Sequence, residues 1–258
     1  MQTSTSKVAV ITGAARGIGL AVARKFLEQG YRVSLLDIDQ PVLEQAASVL
    51  GNTDQVLALV CDVAEPEQVQ ASIDETAARF GRIDALVNNA GTAVFKPILD
   101  TTAEEWSRVL AVNLTGPFLC SQACARVMLK NGGGSIVNIA SISGLRASTL
   151  RVAYGTSKAG LVHLTKQQAA ELGNVGIRVN AVAPGPVDTA MAKQVHTPDI
   201  RADYHAAIPL NRYGLEEEIA GAVWFLCSDG AGYINGQTLA VDGGFDATGI
   251  GLPSLRGA

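Results

Sequence analysis

The stretch Val8-Ala-Val-Ile-Thr-Gly-Ala-Ala-Arg-Gly-Ile-Gly19 decides the fold of this chain. Residues 8–11 form a short β-branched apolar run, the pattern of a strand buried in a parallel sheet. Gly13, Gly17 and Gly19 then give the spacing G-x-x-x-G-x-G, and a helical pattern follows. Glycines let the backbone turn sharply and approach a pyrophosphate, and a helix N-terminus offers amide groups to it. The order of strand, glycine turn and helix therefore favours a dinucleotide-phosphate site over a plain tight connection.

An acidic residue, Asp37, ends the next predicted strand at residues 32–37. It lies about 20 residues beyond the glycines, where a dinucleotide-binding fold holds the adenosine ribose hydroxyls. Its carboxylate would repel a 2′-phosphate, so it favours NAD over NADP. Arg16, inside the glycine turn, favours NADP because a guanidinium can hold that phosphate. We weight Asp37 more heavily, and NADP stays open as the alternative.

A second signal comes from Ala153-Tyr-Gly-Thr-Ser-Lys-Ala159, in which Tyr154 and Lys158 share one helix face. At an effective dielectric of about 20, an ion pair near 4 Å is worth roughly 4 kcal/mol. We therefore expect the ammonium to outweigh burial and to lower the pKa of the phenol towards neutrality. A group that titrates near the working pH is well suited to proton transfer. Alone, this pair also fits a partly exposed helix face.

The strand patterns alternate with helical patterns along the whole chain. They lie near residues 8–12, 32–37, 56–62, 83–88, 135–140 and 177–183, and Thr238-Leu-Ala-Val241 supplies a seventh. Such alternation is typical of a parallel sheet with helices on both faces. Since no linker or repeat interrupts it, we expect residues 1–258 to form a single domain.

Further motifs occur in a fixed order between these two signals and beyond them. They are Asp62-Val63, Asn88-Asn-Ala-Gly91, Asn113 within residues 112–118, Ser141 after the fifth strand, and Pro184-Gly-Pro-Val-Asp-Thr189. With this set the chain resembles the short-chain dehydrogenase/reductase family from about Lys7 to Gly244. The resemblance implies an α/β, doubly wound Rossmann-type fold with a seven-stranded parallel sheet.

The resemblance also implies four catalytic residues. Tyr154 would be the general acid/base, giving a proton to a carbonyl oxygen or taking one from an alcohol. Lys158 would lower the pKa of Tyr154 and bond the nicotinamide ribose. Ser141 would hydrogen-bond the reacting oxygen, and Asn113 would hold a water in a proton relay to the lysine. In isolation Ser141 also fits a turn hydroxyl, and Asn113 fits a helix-interior amide that bonds backbone.

A nicotinamide cofactor and its contacts follow from the same resemblance. Asp62 and Val63 would meet the adenine, residues 89–91 would lie near the adenosine ribose, and Val187 and Thr189 would contact the carboxamide. Asp62 equally fits a strand-terminal cap, and we interpret Asn88 as a link between the central strands. The cofactor-binding residues expected are Gly13, Arg16, Gly17, Ile18, Gly19, Asp37, Asp62, Val63, Asn89, Ala90, Gly91, Tyr154, Lys158, Pro184, Gly185, Val187 and Thr189.

Composition limits the other functions open to this chain. It has 258 residues, 48% of them hydrophobic, and a net charge of −4. The sequence contains no cluster of lysine and arginine residues that would indicate binding to nucleic acid or to an anionic membrane. No apolar run approaches the ~18 residues of a membrane span, and the first six residues lack a signal-peptide pattern. Histidines and cysteines show no metal-ligand spacing, so no metal is expected, and the cysteines fit buried positions in a reducing cytoplasm.

Substrate specificity is expected in segments outside the motifs. Residues 188–213 follow the sixth strand and form a candidate lid, with residues 92–95 and 143–151 as further pocket walls. Arg146 and Arg151 could meet an anionic substrate group, but exposed loop arginines are usually solvated, and we favour solvation here. The tail at 245–258 is expected to cross a subunit interface in a homotetramer, an assembly common in this family.

These patterns lead to one expected function and one alternative. We expect an NAD-dependent dehydrogenase that interconverts a secondary alcohol, such as a polyol or sugar, with its ketone. The alternative is an NADPH-dependent reductase of 3-oxoacyl thioesters, which the same motifs fit. A nucleotide-sensing or scaffold protein is disfavoured because Tyr154 and Lys158 are both present.

Overall fold

The computed structural model describes residues 6–51 and 54–249, without the side chains of residues 190, 191 and 194. Its strands are β1 (Val8–Thr12), β2 (Arg32–Asp37), β3 (Val56–Val60), β4 (Ala85–Asn88), β5 (Gly134–Ile139), β6 (Ile177–Pro184) and β7 (Thr238–Val241). They form one sheet in the order β3-β2-β1-β4-β5-β6-β7, and each neighbouring pair is parallel. The strand order reverses between β1 and β4, so their carboxyl ends flank the crevice where open α/β sheets bind ligands.

Helices cover both faces of the sheet. They are α1 (Gly17–Glu28), α2 (Gln40–Leu50), α3 (Pro66–Phe80), α4 (Ala103–Leu110), α5 (Gly116–Lys130), α6 (Val152–Leu172), α7 (Ala190–Val195), α8 (Pro198–Ala207) and α9 (Glu216–Cys227). Apolar residues of α1, α2 and α9 pack on one face, and those of α3, α5 and α6 pack on the other. The expected doubly wound α/β fold is therefore confirmed. No helix in the described part of the chain is both long and apolar enough to cross a membrane.

Buried amides connect the central strands to the helix that carries the tyrosine and lysine. Asn88 Nδ2 donates to Asn138 Oδ1 at 2.8 Å, which confirms the expected link between β4 and β5. Asn138 Nδ2 then donates to Thr165 Oγ1 of α6 at 2.9 Å. Since Asn138 and Thr165 are fully buried, this chain of hydrogen bonds fixes α6 against the sheet.

The candidate lid at residues 188–213 contains more helix than its sequence indicated. Helices α7 and α8 lie within it, each begun by a threonine whose hydroxyl accepts a backbone N–H. These caps are Thr189, bonded to Ala192, and Thr197, bonded to Ile200. A capping threonine is a strong helix start, so the signal was present in the sequence. Residues 250–258 of the tail lie outside the described residues, and the expectation for them stays a prediction.

The turn into β5 offers a direct test of backbone packing. Gly132 and Gly133 both have positive φ, 88° and 119°, and a side chain there costs about 1–2 kcal/mol. A Cβ on Gly133 would also lie 2.3 Å from the carbonyl oxygen of Gly176, whereas one on Gly132 would meet nothing within 4 Å. We therefore expect Gly133→Ala to lower the free energy of unfolding by roughly 1–3 kcal/mol more than Gly132→Ala. Urea denaturation of both variants measures this, and equal midpoints would contradict it.

Candidate active site

The glycine turn between β1 and α1 is packed too closely to admit side chains. A Cβ on Gly19 would lie 2.2 Å from the carbonyl oxygen of Gly13, and a Cβ on Gly13 would lie 2.8 Å from Cα of Ala90. Asn89 Nδ2 holds the turn from the other side by donating to the carbonyl oxygens of Thr12 and Gly13, at 3.0 and 2.9 Å. The first turn of α1 contains no acidic residue. This bare helix start fits the pyrophosphate of a dinucleotide.

Asp37 and Arg16 lie beside this turn in different electrostatic settings. Asp37 Oδ2 accepts from the Ala15 N–H at 3.0 Å, and its Oδ1 accepts from the Asp39 N–H at 3.1 Å. The carboxylate is thus held at the end of β2 by backbone on both sides. The exposed guanidinium of Arg16 forms an ion pair with Asp39, a partner that the sequence did not reveal. Arg16 is therefore partly neutralised where a 2′-phosphate would lie.

Asp62 and Val63 follow β3 at the same edge of the sheet. Asp62 Oδ1 accepts from the Ala64 N–H at 2.9 Å, so the capping interpretation describes what this carboxylate does. Val63 is 5% exposed, and a Cβ on Gly116 would lie 2.8 Å from its Cγ2. Val63 thus packs closely against Gly116 at the start of α5. The adenine contacts expected of both residues remain predictions.

The segment after β6 brings the remaining cofactor candidates to this edge. A Cβ on Gly185 would lie 2.7 Å from Cα of Asp242, so this position requires glycine. Val187 is buried and forms an isolated parallel bridge with Gly214. Thr189 caps α7 with its hydroxyl oxygen, which leaves its hydroxyl proton free to donate. These contacts hold the segment after β6 in place, next to residue 188, where the candidate lid begins.

Tyr154, Lys158 and Ser141 converge at the carboxyl end of β5. The Ser141 hydroxyl is close enough to Tyr154 to lower the pKa of the phenol, and Ser141 Oγ accepts from the Ser143 N–H at 3.1 Å. Lys158 Nζ donates to the carbonyl oxygen of Ile139 at 2.7 Å and lies 5.8 Å from the centroid of the Tyr154 ring. The structure therefore brings together three of the four expected catalytic side chains.

The electrostatics of Tyr154 differ from the expectation. Burial raises the pKa of Tyr154, and the Ser141 hydroxyl and the charge of Arg151 only partly oppose that rise. Lys158 is 3% exposed, and burial lowers its pKa to about 8. The prediction that Lys158 brings the phenol towards neutrality is wrong for this structure. Its physical reason is that the ammonium is directed to the Ile139 carbonyl, so burial dominates.

Asn113 lies in a π-helical turn, Ala111–Thr115, between α4 and α5. Its Oδ1 accepts from the Thr92 N–H at 2.8 Å, and its Nδ2 donates to the Thr92 carbonyl at 2.9 Å and to Ser157 Oγ at 3.0 Å. A Cβ on Gly91 would lie 3.4 Å from Asn113 Oδ1 and 3.6 Å from Lys158 Nζ. Asn113 is thus close to Lys158. Its amide bonds backbone, as expected of a helix-interior amide. Its water relay stays a prediction.

Two hydroxyls in the site were missed at the sequence level. Thr12 Oγ1 accepts from the N–H groups of Asn89 and Ala90, both at 3.0 Å, and so joins β1 to the segment after β4. Ser157 Oγ donates to the Tyr154 carbonyl at 2.7 Å and accepts from Asn113. Their positions in the sequence could have indicated both residues, because Thr12 ends β1 and Ser157 directly precedes Lys158.

The glycine turn, the carboxylate of Asp37 and the neighbouring Ser141 and Tyr154 have the arrangement expected of a nicotinamide-dependent oxidoreductase. Residues 13–246 match the family model described as enoyl-(acyl carrier protein) reductase. The chain is 42% identical to a D-threitol dehydrogenase of Mycolicibacterium smegmatis, over 93% of this chain and 92% of that one. It is 39% identical to a 3-oxoacyl-[acyl-carrier-protein] reductase of Chlamydia trachomatis, over 93% and 97%.

A solved structure gives the same result. A short-chain type dehydrogenase/reductase from Mycobacterium marinum is 38% identical, superposes with a TM-score of 0.88, and is covered over 96% of its length by 93% of this chain. The chain belongs to the short-chain dehydrogenase/reductase family. It is an oxidoreductase that acts on CH–OH groups with a nicotinamide cofactor.

Removing one hydroxyl tests the assignment of the proton donor. Tyr154→Phe keeps the ring but removes the group that exchanges a proton, so kcat should fall by roughly 10²–10⁴-fold. Tyr233, which is fully exposed, offers the matched control, and Tyr233→Phe should stay within about twofold of wild type. Both are measured from the change in nicotinamide absorbance with a confirmed substrate. Full turnover by Tyr154→Phe would remove the assignment.

Proposed function

We propose that this protein is an NAD-dependent dehydrogenase that interconverts a secondary alcohol, such as a polyol or sugar, with its ketone. The observation that carries the proposal is that Ser141, Tyr154 and Lys158 lie together at the carboxyl end of β5. The similarity to a D-threitol dehydrogenase supports a polyol-like substrate. The similarity to a 3-oxoacyl reductase keeps the thioester alternative in the test below.

The proposed chemistry divides between the cofactor and the side chains. When bound, the nicotinamide accepts a hydride from the carbinol carbon, or returns one to the ketone. Ser141 Oγ accepts from the Ser143 N–H, so its own proton is available to the substrate oxygen and stabilises charge there. In oxidation the Tyr154 phenolate takes the proton of the substrate hydroxyl. In reduction neutral Tyr154 returns that proton to the carbonyl oxygen.

The residues proposed to hold the cofactor follow the edge of the sheet. The turn at Gly13, Gly17 and Gly19 would hold the pyrophosphate, and Asp37 would accept from the adenosine ribose hydroxyls. Lys158 would bond the nicotinamide ribose, and Thr189 would donate to the carboxamide. The others proposed are Arg16, Ile18, Asp62, Val63, Asn89, Ala90, Gly91, Tyr154, Pro184, Gly185 and Val187.

Cofactor choice is testable at the two acids beside the glycine turn. We expect kcat/KM to favour NAD over NADP at least tenfold, about 1.4 kcal/mol. In the Asp37→Ala/Asp39→Ala double variant, the charge that repels a 2′-phosphate is removed and Arg16 is released to bind that phosphate. The variant should therefore reduce the preference for NAD over NADP at least tenfold. Asp54, in an exposed ion pair with Arg79, provides the control Asp54→Ala. A tenfold preference of the wild type for NADPH would reverse the proposal and favour the thioester reductase.

The pH dependence follows from the raised pKa of Tyr154. Burial favours the protonated phenol, so the phenolate that oxidation needs becomes more populated as pH rises. We expect kcat/KM for the alcohol to increase from neutral into alkaline pH, and kcat/KM for the ketone to decrease over the same range. The charge of Arg151 opposes the effect of burial, and Lys158, whose Nζ lies 5.8 Å from the ring centroid, is the other cation beside the phenol. An oxidation rate that is already level at acidic pH would contradict this sign.

We also propose a homotetramer that resides in the cytoplasm. Helix α5 exposes Phe118 and Leu129, with exposed fractions of 45% and 48%, which a subunit contact would cover. The four cysteines are free and buried, which suits a reducing compartment. Sedimentation equilibrium gives the mass in solution.

A further inference from the structure

Arg151 lies directly before α6, three residues ahead of Tyr154. It is the N-cap residue of this helix. The arginine is half-buried, and its guanidinium carbon stands 5.1 Å from the centroid of the Phe95 ring. A guanidinium stacked on an aromatic face is held in orientation while its N–H edge stays free to donate. Arg151 is therefore not the freely solvated loop arginine that its sequence suggested.

The other cations around the site have partners. Lys96 pairs with Glu105, and Arg201 pairs with Asp188 at 2.9 Å. Arg146 donates to the carbonyl oxygen of Phe245 at 2.6 Å. Across residues 6–51 and 54–249, no carboxylate lies within ion-pair distance of Arg151. The first turn of α6 also contains no acidic residue, so the positive charge at this point is uncompensated.

The backbone that places Arg151 is strained. Leu150 has a φ of 60°, a conformation that costs a residue with a side chain about 1–2 kcal/mol. Its carbonyl oxygen accepts from the Lys96 N–H at 3.1 Å, which ties this loop to the opposite wall of the site. Strain of this kind persists where surrounding structure enforces it, and it concentrates at ligand-binding positions. Leu150 therefore fixes the direction from which Arg151 approaches Tyr154.

The charge of Arg151 reaches the proton donor and the lid. Burial raises the pKa of Tyr154, and Arg151 opposes that rise. Burial lowers the pKa of His196, and Arg151 lowers it further. His196 Nδ1 lies 3.0 Å from the hydroxyl of Tyr213 within the lid. Arg151 is thus near enough to both the reacting hydroxyl and the lid for its charge to act on each.

We propose that Arg151 binds a carboxylate of the substrate, so that the secondary alcohol oxidised at Tyr154 is a hydroxy acid. This inference rests on the proposed dehydrogenase function and narrows its substrate class. A guanidinium offers two parallel N–H donors that match a carboxylate. The ion pair sets the position of the substrate carbinol relative to Tyr154 and Ser141. The substrate carboxylate also gives Arg151 a counter-charge, which the described residues of the protein do not supply.

The test compares acids with their uncharged counterparts. The probes are 3-hydroxybutyrate, 4-hydroxypentanoate and 3-hydroxycyclohexanecarboxylate, each beside its primary amide, together with neutral polyols. Wild type, Arg151→Gln, Arg151→Lys and the control Arg79→Gln, at an exposed arginine paired with Asp54, are assayed with NAD and NADP. We expect wild type to favour at least one acid over its amide by tenfold or more in kcat/KM. Arg151→Gln should lose at least tenfold on that acid, mainly through KM, and about twofold or less on the amide.

The remaining variants separate charge from folding. Arg151→Lys keeps the charge without the bidentate edge and should recover part of the lost kcat/KM on the acid. Arg79→Gln should match wild type on both probes. An equal loss on acid and amide in Arg151→Gln overturns the inference, as does a wild type that oxidises polyols but prefers no acid to its amide. In that last case the proposed function stands, whereas no oxidation of any alcohol with either cofactor rejects the proposed function itself.

Discussion

The hydrogen bond from Lys158 to the carbonyl of Ile139 is the constraint on which the rest of the site depends. It joins α6 to the last residue of β5 at 2.7 Å, and a buried ammonium without such a partner would be costly. Together with the contact between Asn138 and Thr165, it sets both the height and the rotation of α6 on the sheet. Tyr154 then faces Ser141 because the two elements that carry them are locked.

This arrangement holds Tyr154 in position but does not lower the pKa of its phenol. The ammonium donates to the Ile139 carbonyl, and burial has the largest effect on the pKa of Tyr154. A neutral phenol beside a serine hydroxyl is ready to protonate a carbonyl oxygen. Removing a proton from an alcohol instead requires positive charge nearby, which Lys158 and Arg151 supply. The same site can thus work in both directions, with pH and charge setting the balance.

The binding edge depends on contacts between segments distant in the chain. Thr12 accepts from the backbone after β4, and Asn89 donates back to the glycine turn. Asp37 is held by the turn that it flanks. These contacts order the crevice between β1 and β4, and an ordered surface loses little backbone freedom when a ligand binds to it.

The sequence predicted the sheet well because its signals are local. β1 and β2 have the predicted bounds, while β3 stops at Val60 and β4 begins only at Ala85. The glycine turn, the capping role of Asp62 and the Tyr154–Lys158 face were readable for the same reason. The pKa of Tyr154 was not, because its sign depends on the Ile139 carbonyl, which only the fold brings near. The partners of Arg16 and Arg151 were hidden likewise, since Asp39 and Phe95 come close only in three dimensions.

The most direct test is an ultraviolet difference titration of wild type against Tyr154→Phe in the absence of substrate. The difference isolates the ionisation of one phenol. A buried, neutral Tyr154 predicts that its phenolate forms only above the ordinary tyrosine pKa of about 10. A tyrosinate step near neutral pH that is lost in Tyr154→Phe would contradict the account.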